Sequence, residues 1–305
     1  MSNSIQSNIP NLLLMVRPKS FGFNSETAHT NLFQHQFDIE NTAELAKKEF
    51  DLMVEKLKEN NIGVVVFEDL EEGLPDSVFP NNWISHFPDG TLAIYPMLTP
   101  NRRAEVRKDI IDWCKLNLPH QKLIDLSSSW QNDKFLEGTG SIVFDHASRK
   151  AYACISPRTD LELLSSLCTE IGYSSISFES VDVNGKQIYH TNVMMSIAEK
   201  FALVCLESVE NSIEKMMLSK SIEQSGKELI DLTYSQLNHF AGNAFEVLSN
   251  DGKSFYLMSD TAFNSLNTDQ LSVISEYSTV LHFNIDTIEK IGGGSVRCMV
   301  AGMFS

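Results

Sequence analysis

Thr139, Thr191 and Asn243 follow one another at intervals of 52 residues, each just ahead of a pair of short apolar runs. An internal repeat of this length constrains a chain more than any single motif. Each copy is one supersecondary unit, and it must stack on neighbouring copies to bury its apolar face. The unit reads clearly at residues 79–96, where two apolar runs flank Asp89 and Gly90, a dipeptide suited to a tight hairpin turn. Helical spacing follows, with Val106, Ile110, Ile111, Cys114 and Leu118 on one face, and then a short strand at 122–126. Hairpins at 138–156, 190–208 and 242–259 lead in the same order to a helix and a strand (174–178, 227–232 and 278–283). In the second copy Thr159 and Glu162 have the spacing of a capping box.

A further 52 residues reach Ser295, where the remaining chain is long enough for only one strand. The missing parts lie at the other end: a strand at 11–18, an amphipathic helix at 42–61 and a strand at 62–68. Joining the two ends completes a fifth copy. The expectation is an α/β fold of five ββαβ units in one domain spanning residues 1–305, closed into a ring by pairing of the first and last strands.

Forty acidic against 24 basic residues give a net charge of −16, which disfavours phosphate backbones and anionic lipid as partners. No apolar run approaches the ~20 residues that span a bilayer, and the N-terminus lacks the basic and small-residue features of a signal peptide. Five widely spaced cysteines suit reduced thiols in the cytoplasm better than a disulfide framework. A soluble cytoplasmic protein with a small-molecule ligand is expected. Oligomeric state is not readable, and a homodimer stays open.

Pseudo-symmetry places equivalent residues in equivalent places, so the positions just before each hairpin should converge on the axis. They hold Asn82, then Glu137 and Gly138, His190 and Asn192, Gly242 and Asn243, and residues 294–298. A carboxylate, an imidazole and a thiol thus come from segments far apart in sequence, the ingredients of thiolate nucleophilic catalysis. A lone cysteine is usually a packing residue, and Cys114, Cys154, Cys168 and Cys205 fall on core patterns. Cys298 differs in following a glycine-rich turn and Arg297. Seven other histidines compete with His190, which only its place in the repeat selects. Met194, Met195, Met216 and Met217 read as core. No metal-ligand spacing or phosphate-binding loop occurs, and no cofactor is expected.

The GGGSVRC ending, the EGTG segment and the HTN segment, in this order and spacing, resemble the guanidino-group modifying enzymes. This superfamily includes arginine and agmatine deiminases, amidinotransferases and dimethylarginine dimethylaminohydrolases. The likeness covers essentially the whole chain and is strongest to the citrulline-utilisation hydrolases. It implies a five-bladed α/β propeller (pentein) with no metal or cofactor. It implies Cys298 as the nucleophile on the guanidino or ureido carbon, His190 as general acid and base, and Glu137 as the carboxylate holding substrate nitrogens. It further implies Asp76 at the substrate α-amino group and Arg102, Arg103 or Arg158 at its carboxylate. A guanidinium fork suits that role, although Arg102 and Arg103 could equally begin a solvated helix.

Two departures bear on substrate. Deiminases commonly carry Asp where this chain has Asn82 and Asn192. An amide is neutral, with one acceptor and one two-hydrogen donor, and suits a ureido group better than a guanidinium. The resulting expectation is hydrolysis of citrulline to ornithine through a covalent thio-intermediate. Arginine- or agmatine-type deimination and amidino transfer are the enzymatic alternatives, and a non-catalytic binding propeller is the alternative from another class. The polar loop at 20–42 reads either as a cover over the site or as an inert connection.

Overall fold

Five three-stranded sheets carry the repeat. The computed structural model describes residues 7–31, 33–36 and 40–305; residues 1–6, 32 and 37–39, which include part of the expected 20–42 loop, lie outside the described residues. The chain begins with β1 (Leu12–Arg17), α1 (Thr42–Glu59) and β2 (Gly63–Glu68). The next unit opens with a 3-10 turn at Pro80–Asn82 and continues with β3 (Ile84–His86), β4 (Thr91–Ile94), α2 (Pro100–Arg103), α3 (Lys108–Asn117) and β5 (Lys122–Asp125). Then come α4 (Gly138–Ser141), β6 (Val143–Asp145), β7 (Lys150–Cys154), α5 (Leu161–Ile171) and β8 (Ser174–Phe178). The following unit is α6 (Thr191–Met194), β9 (Met195–Ile197), β10 (Phe201–Val204), α7 (Ser212–Gln224) and β11 (Glu228–Asp231). The next has α8 (Tyr234–Asn238), β12 (Phe245–Leu248), β13 (Ser254–Ser259), α9 (Asp260–Ser265), α10 (Thr268–Tyr277) and β14 (Thr279–Phe283). The chain ends with α11 (Val296–Met299) and β15 (Ala301–Met303).

Every sheet has the same plan: an antiparallel hairpin whose second strand also pairs in parallel with the strand that follows the helix. The fifth sheet is assembled from both ends, in the order β15-β1-β2. Leu12 faces Met303 antiparallel while β1 runs parallel to β2, the pairing expected from the truncated last repeat. Apolar side chains between each sheet and its helix form the cores. In α1, Ala46, Phe50, Met53, Val54 and Leu57 are buried, at the three- and four-residue spacing of one helical face.

Local details depart from the expected pattern, each for a visible reason. The expected helix across residues 101–118 is interrupted between α2 and α3, where Glu105 turns inward to bind the buried Arg102. The cap of α5 is Asp160, not Thr159: Asp160 accepts from the Leu163 N–H, Thr159 contacts Ser156, and Glu162 pairs with Lys134. Met216 and Met217 lie on the outer face of α7, 47% and 52% exposed, because Leu218, Ser221 and Ile222 make its inner face. The GGGSVRC segment does not feed a strand directly, since Cys298 lies within the four-residue α11.

The short turns that open the units hold one unit against the next. The Pro80–Asn82 turn touches α4 and α11, and α4 touches α6. The Asn243 side chain donates to the Asn192 backbone oxygen at 2.8 Å and accepts from the Arg297 N–H at 3.1 Å. Five segments distant in sequence therefore contact one another in succession.

Candidate active site

Glu137 sits at the head of α4, His190 at the head of α6, Asn192 within α6, and Cys298 within α11. The backbone brings them close because glycine stands where side chains would collide. At Gly138, where φ is +48°, a Cβ would lie 2.5 Å from the Asn81 carbonyl oxygen. At Gly140 it would lie 2.3 Å from Asn82 Nδ2 and 2.8 Å from His190 Nδ1. Gly140 is thus the gap into which both Asn82 and the His190 ring project.

Glu137 is fully buried. Its Oε1 accepts the Leu98 N–H at 3.0 Å, while Oε2 lies 2.7 Å from His190 Nε2 and 3.1 Å from Arg158 Nη1. Burial by itself raises the carboxyl pKa, but the charge of Arg158, the His190 hydrogen bond and the charge of Arg102 outweigh it and hold Glu137 well below the usual carboxylate range. Burial lowers His190 to about 4 despite the Glu137 hydrogen bond, so the imidazole is neutral at pH 7.

Cys298 contacts amides rather than imidazole. Asn243 Nδ2 donates to its sulfur at 3.3 Å and Asn192 Nδ2 at 3.6 Å. Burial raises its pKa, opposed by the Asn243 hydrogen bond, the Ser295 backbone, the Arg297 charge and Asn192. The four other cysteines are buried too, and burial pushes Cys114 and Cys154 up to about 12 and Cys168 and Cys205 to about 11.

The three arginines differ in what they hold. Arg102 is buried and its fork is engaged: Nε binds Glu105, Nη1 donates to Asn82 Oδ1 at 3.0 Å, and Nη2 donates to the Phe79 carbonyl at 3.1 Å. Neither a solvated helix start nor an open carboxylate fork describes it. Arg103 grips the Met97 and Leu98 carbonyls and stacks 4.4 Å from the Trp130 ring. Arg158 lies 4.8 Å from the Tyr189 ring, bonds Glu137 and Thr30, and keeps a buried Nε–H without a partner.

The loop at 24–31 adds residues that sequence reasoning had not singled out. Asn24 Nδ2 donates to Asp76 Oδ2 at 2.7 Å, and Thr27 bonds Gln34 Oε1 at 3.0 Å while its carbonyl meets Arg158. Asn31 reaches the Gly292 carbonyl at 3.2 Å. The described part of the loop thus contacts Asp76, Arg158 and the Gly292 turn. Asp76 is buried, which raises its pKa against the charge of Arg102.

Buried polar atoms normally have partners, yet Asp76 Oδ1, Asn82 Nδ2, Asn192 Oδ1, Arg158 Nε and Gln34 Nε2 have none. Of the two amides, Asn82 has an orientation fixed by its partner. Arg102 has only donors, so the Asn82 oxygen must face it and the NH₂ is left free. Asn192 turns its NH₂ to Cys298 and leaves its oxygen free. A separate cavity of about 80 Å³, bordered by Thr139, Asn192, Arg297, Asp145 and Lys227, includes neither Cys298 nor His190. The polar cluster, not this cavity, is the candidate site. Among the described residues no group of three or more His, Cys, Asp or Glu is placed to hold a metal ion, and no helix is long and apolar enough to cross a membrane.

The model of the eukaryotic N,N dimethylarginine dimethylhydrolase family matches residues 17–305. The chain belongs to this family. It therefore falls among the guanidino-group modifying hydrolases, enzymes that act on carbon–nitrogen bonds. A search of curated proteins finds no match. Among solved structures, the substrate-bound N-terminal domain of ArgZ, an arginine dihydrolase from the ornithine–ammonia cycle in cyanobacteria, is 17% identical with a TM-score of 0.74, covering 95% of this chain and 97% of that one. AgrE in its complex with L-arginine is 17% identical with a TM-score of 0.75, covering 95% of this chain and 40% of that one. Dimethylarginine dimethylaminohydrolase carrying an adduct with S-methyl-L-thiocitrulline is 14% identical with a TM-score of 0.66, covering 97% and 100%. At these identities the structures share the fold of this chain.

Proposed function

We propose that this chain is a cysteine-dependent hydrolase of a ureido or guanidino amino acid, with conversion of citrulline to ornithine as its preferred reaction. One observation carries the substrate reading: Asn82 offers a free N–H while Asn192 offers a free carbonyl oxygen. A ureido group has one carbonyl oxygen and N–H groups beside it, and matches this donor and acceptor in charge and kind. A guanidinium, which has only N–H donors, would leave the Asn82 donor unpartnered, at a cost of about 1–3 kcal/mol.

Cys298 forms the S–C bond to the ureido carbon, and its proton passes through His190 to the departing nitrogen. The imidazolium formed on the way is held by the Glu137 carboxylate 2.7 Å off. Water, activated by the again neutral His190, then cleaves the S–C bond and returns the thiol, and the carbamic acid released loses carbon dioxide as its remaining C–N bond breaks. Citrulline and one water give ornithine, carbon dioxide and ammonia. Asp76 Oδ1 takes the substrate α-ammonium and Arg158 Nε its carboxylate. Arg102 acts through Asn82, and Arg103 by holding the Leu98 loop whose N–H binds Glu137. No metal or cofactor has a step in this scheme. We also place the five units in a single five-bladed propeller, supported by the succession of entry-turn contacts and the β1–β15 pairing. Five unpaired cysteines support a cytoplasmic setting.

The runner-up is release of an amine from a methylated arginine, the reaction named by the family description; arginine deimination and amidino transfer follow. Membership in a family of hydrolases removes the ground for a binding-only protein. The test is product formation from citrulline, arginine, agmatine and methylated arginines, by the natural protein and Cys298→Ser. Ornithine and ammonia from citrulline, absent with the variant, is the expected result. Citrulline produced from arginine or a methylated arginine, with citrulline itself inert, would sink the ureido preference while sparing the nucleophile.

A further inference from the structure

Thr139, Thr191 and Asn243 share more than their spacing. Thr139 Oγ1 donates to the Asn81 carbonyl at 3.1 Å, Thr191 Oγ1 to the Ser141 carbonyl at 2.6 Å, and Asn243 Nδ2 to the Asn192 carbonyl at 2.8 Å. Each latches its unit to the entry turn of the preceding one. A hydroxyl suffices for that, and two of the three positions have only a hydroxyl. At the position preceding Cys298 the residue is an amide, with a second hydrogen and an oxygen to spare. Asn243 is fully buried, its oxygen accepts from the Arg297 N–H at 3.1 Å, and its nitrogen lies 3.3 Å from Cys298 Sγ, nearer than its oxygen at 3.6 Å.

We propose that Asn243 is a catalytic residue that holds the Cys298 thiolate: one amide hydrogen keeps the latch and the other is donated to sulfur. The donation strengthens as sulfur gains negative charge, both before attack and when the S–C bond breaks. The inference rests on reading Cys298 as the nucleophile. Burial acts against that thiolate, and the Asn243 hydrogen bond is the foremost group opposing the burial. Asn192 is farther from sulfur, at 3.6 Å, and its oxygen is free for a ligand. The repeat has therefore converted a structural latch into part of the chemistry at one of its three places.

The test is Asn243→Thr, which restores the residue found at the two equivalent positions and so keeps the latch. Alkylation of Cys298 by iodoacetamide, followed from pH 5 to 10 by mass of the labelled peptide, requires no substrate. The expected result is a midpoint moved to higher pH and a rate at pH 7 lower by on the order of tenfold, with a thermal midpoint within a few degrees of the natural protein. An unchanged pH midpoint in the folded variant would overturn the proposal. Asn243→Ser serves as a second variant with the same latch; failure of both to fold would show a purely structural role and overturn it too. If Cys298 in the natural protein alkylates no faster than the other four cysteines, the nucleophile reading itself fails, whatever residue 243 does.

Discussion

Cys154 and Cys298 are both buried thiols touched by the same repeat position, Thr191 for one and Asn243 for the other. Their chemistry diverges at that contact. Cys154 Sγ donates to the Ile188 carbonyl at 3.4 Å, a partner that requires the proton to stay on sulfur, and burial pushes this thiol up to about 12. The Thr191 hydroxyl beside it is already given to the Ser141 carbonyl. Cys298 also reaches an oxygen, Asn243 Oδ1 at 3.6 Å, but it meets two amide N–H groups and the charge of Arg297, which favour the anion. Burial raises both thiols, and the polarity of the nearest partner decides which can become a nucleophile.

The bluntest way to break this contrast is to remove each sulfur. Cys298→Ser should lower turnover by more than about 1,000-fold, whereas Cys154→Ser should stay within about threefold, read from product release at saturating substrate. Comparable losses in both would erase the distinction. His190 extends the lesson to a base. The unfolded state binds its proton near pH 6.5 and the folded state only near 4, so stability is complete above pH 6.5 and drains as pH falls toward 4. Urea titrations at pH 7.5 and 4.5 should differ by roughly 2–3 kcal/mol more in the natural protein than in His190→Gln. Equal differences would show that His190 is not held neutral.

Next in size is Gly140→Ala, whose methyl would press on Asn82 and His190 together. We expect a loss of about 100-fold in kcat/KM with an unaltered far-ultraviolet spectrum; near-natural activity would show that the gap is not needed. The smallest effect sharpens the substrate reading. The double variant Asn82→Asp and Asn192→Asp should shift the ratio of citrulline to arginine kcat/KM toward arginine by about tenfold, since paired carboxylates suit a guanidinium. A ratio that does not move would count against charge as the discriminator.

Much of this architecture was legible in the sequence, for identifiable reasons. Hairpins and helices follow from periodicities of 2 and 3.6, and the lone strand β15 at one end with β1, α1 and β2 at the other pointed to the pairing of Leu12 with Met303. The entry turns were not legible. Gly138–Ser141, Thr191–Met194 and Val296–Met299 are four residues each, too short for a periodic signal, yet they carry or adjoin most of the candidate site.

Residue type and repeat position alone thus determined the ββαβ order and the five-fold count, because alternation of apolar side chains is written locally, and they singled out the turns that hold Glu137, His190 and Cys298. What Arg102 holds, which way Asn82 and Asn192 turn, and that Asn243 rather than His190 is bonded to the Cys298 sulfur were decided only by the tertiary structure. Each depends on a hydrogen-bond partner 20 to more than 100 residues away, and in a buried site the partner, not the residue type, sets protonation and orientation.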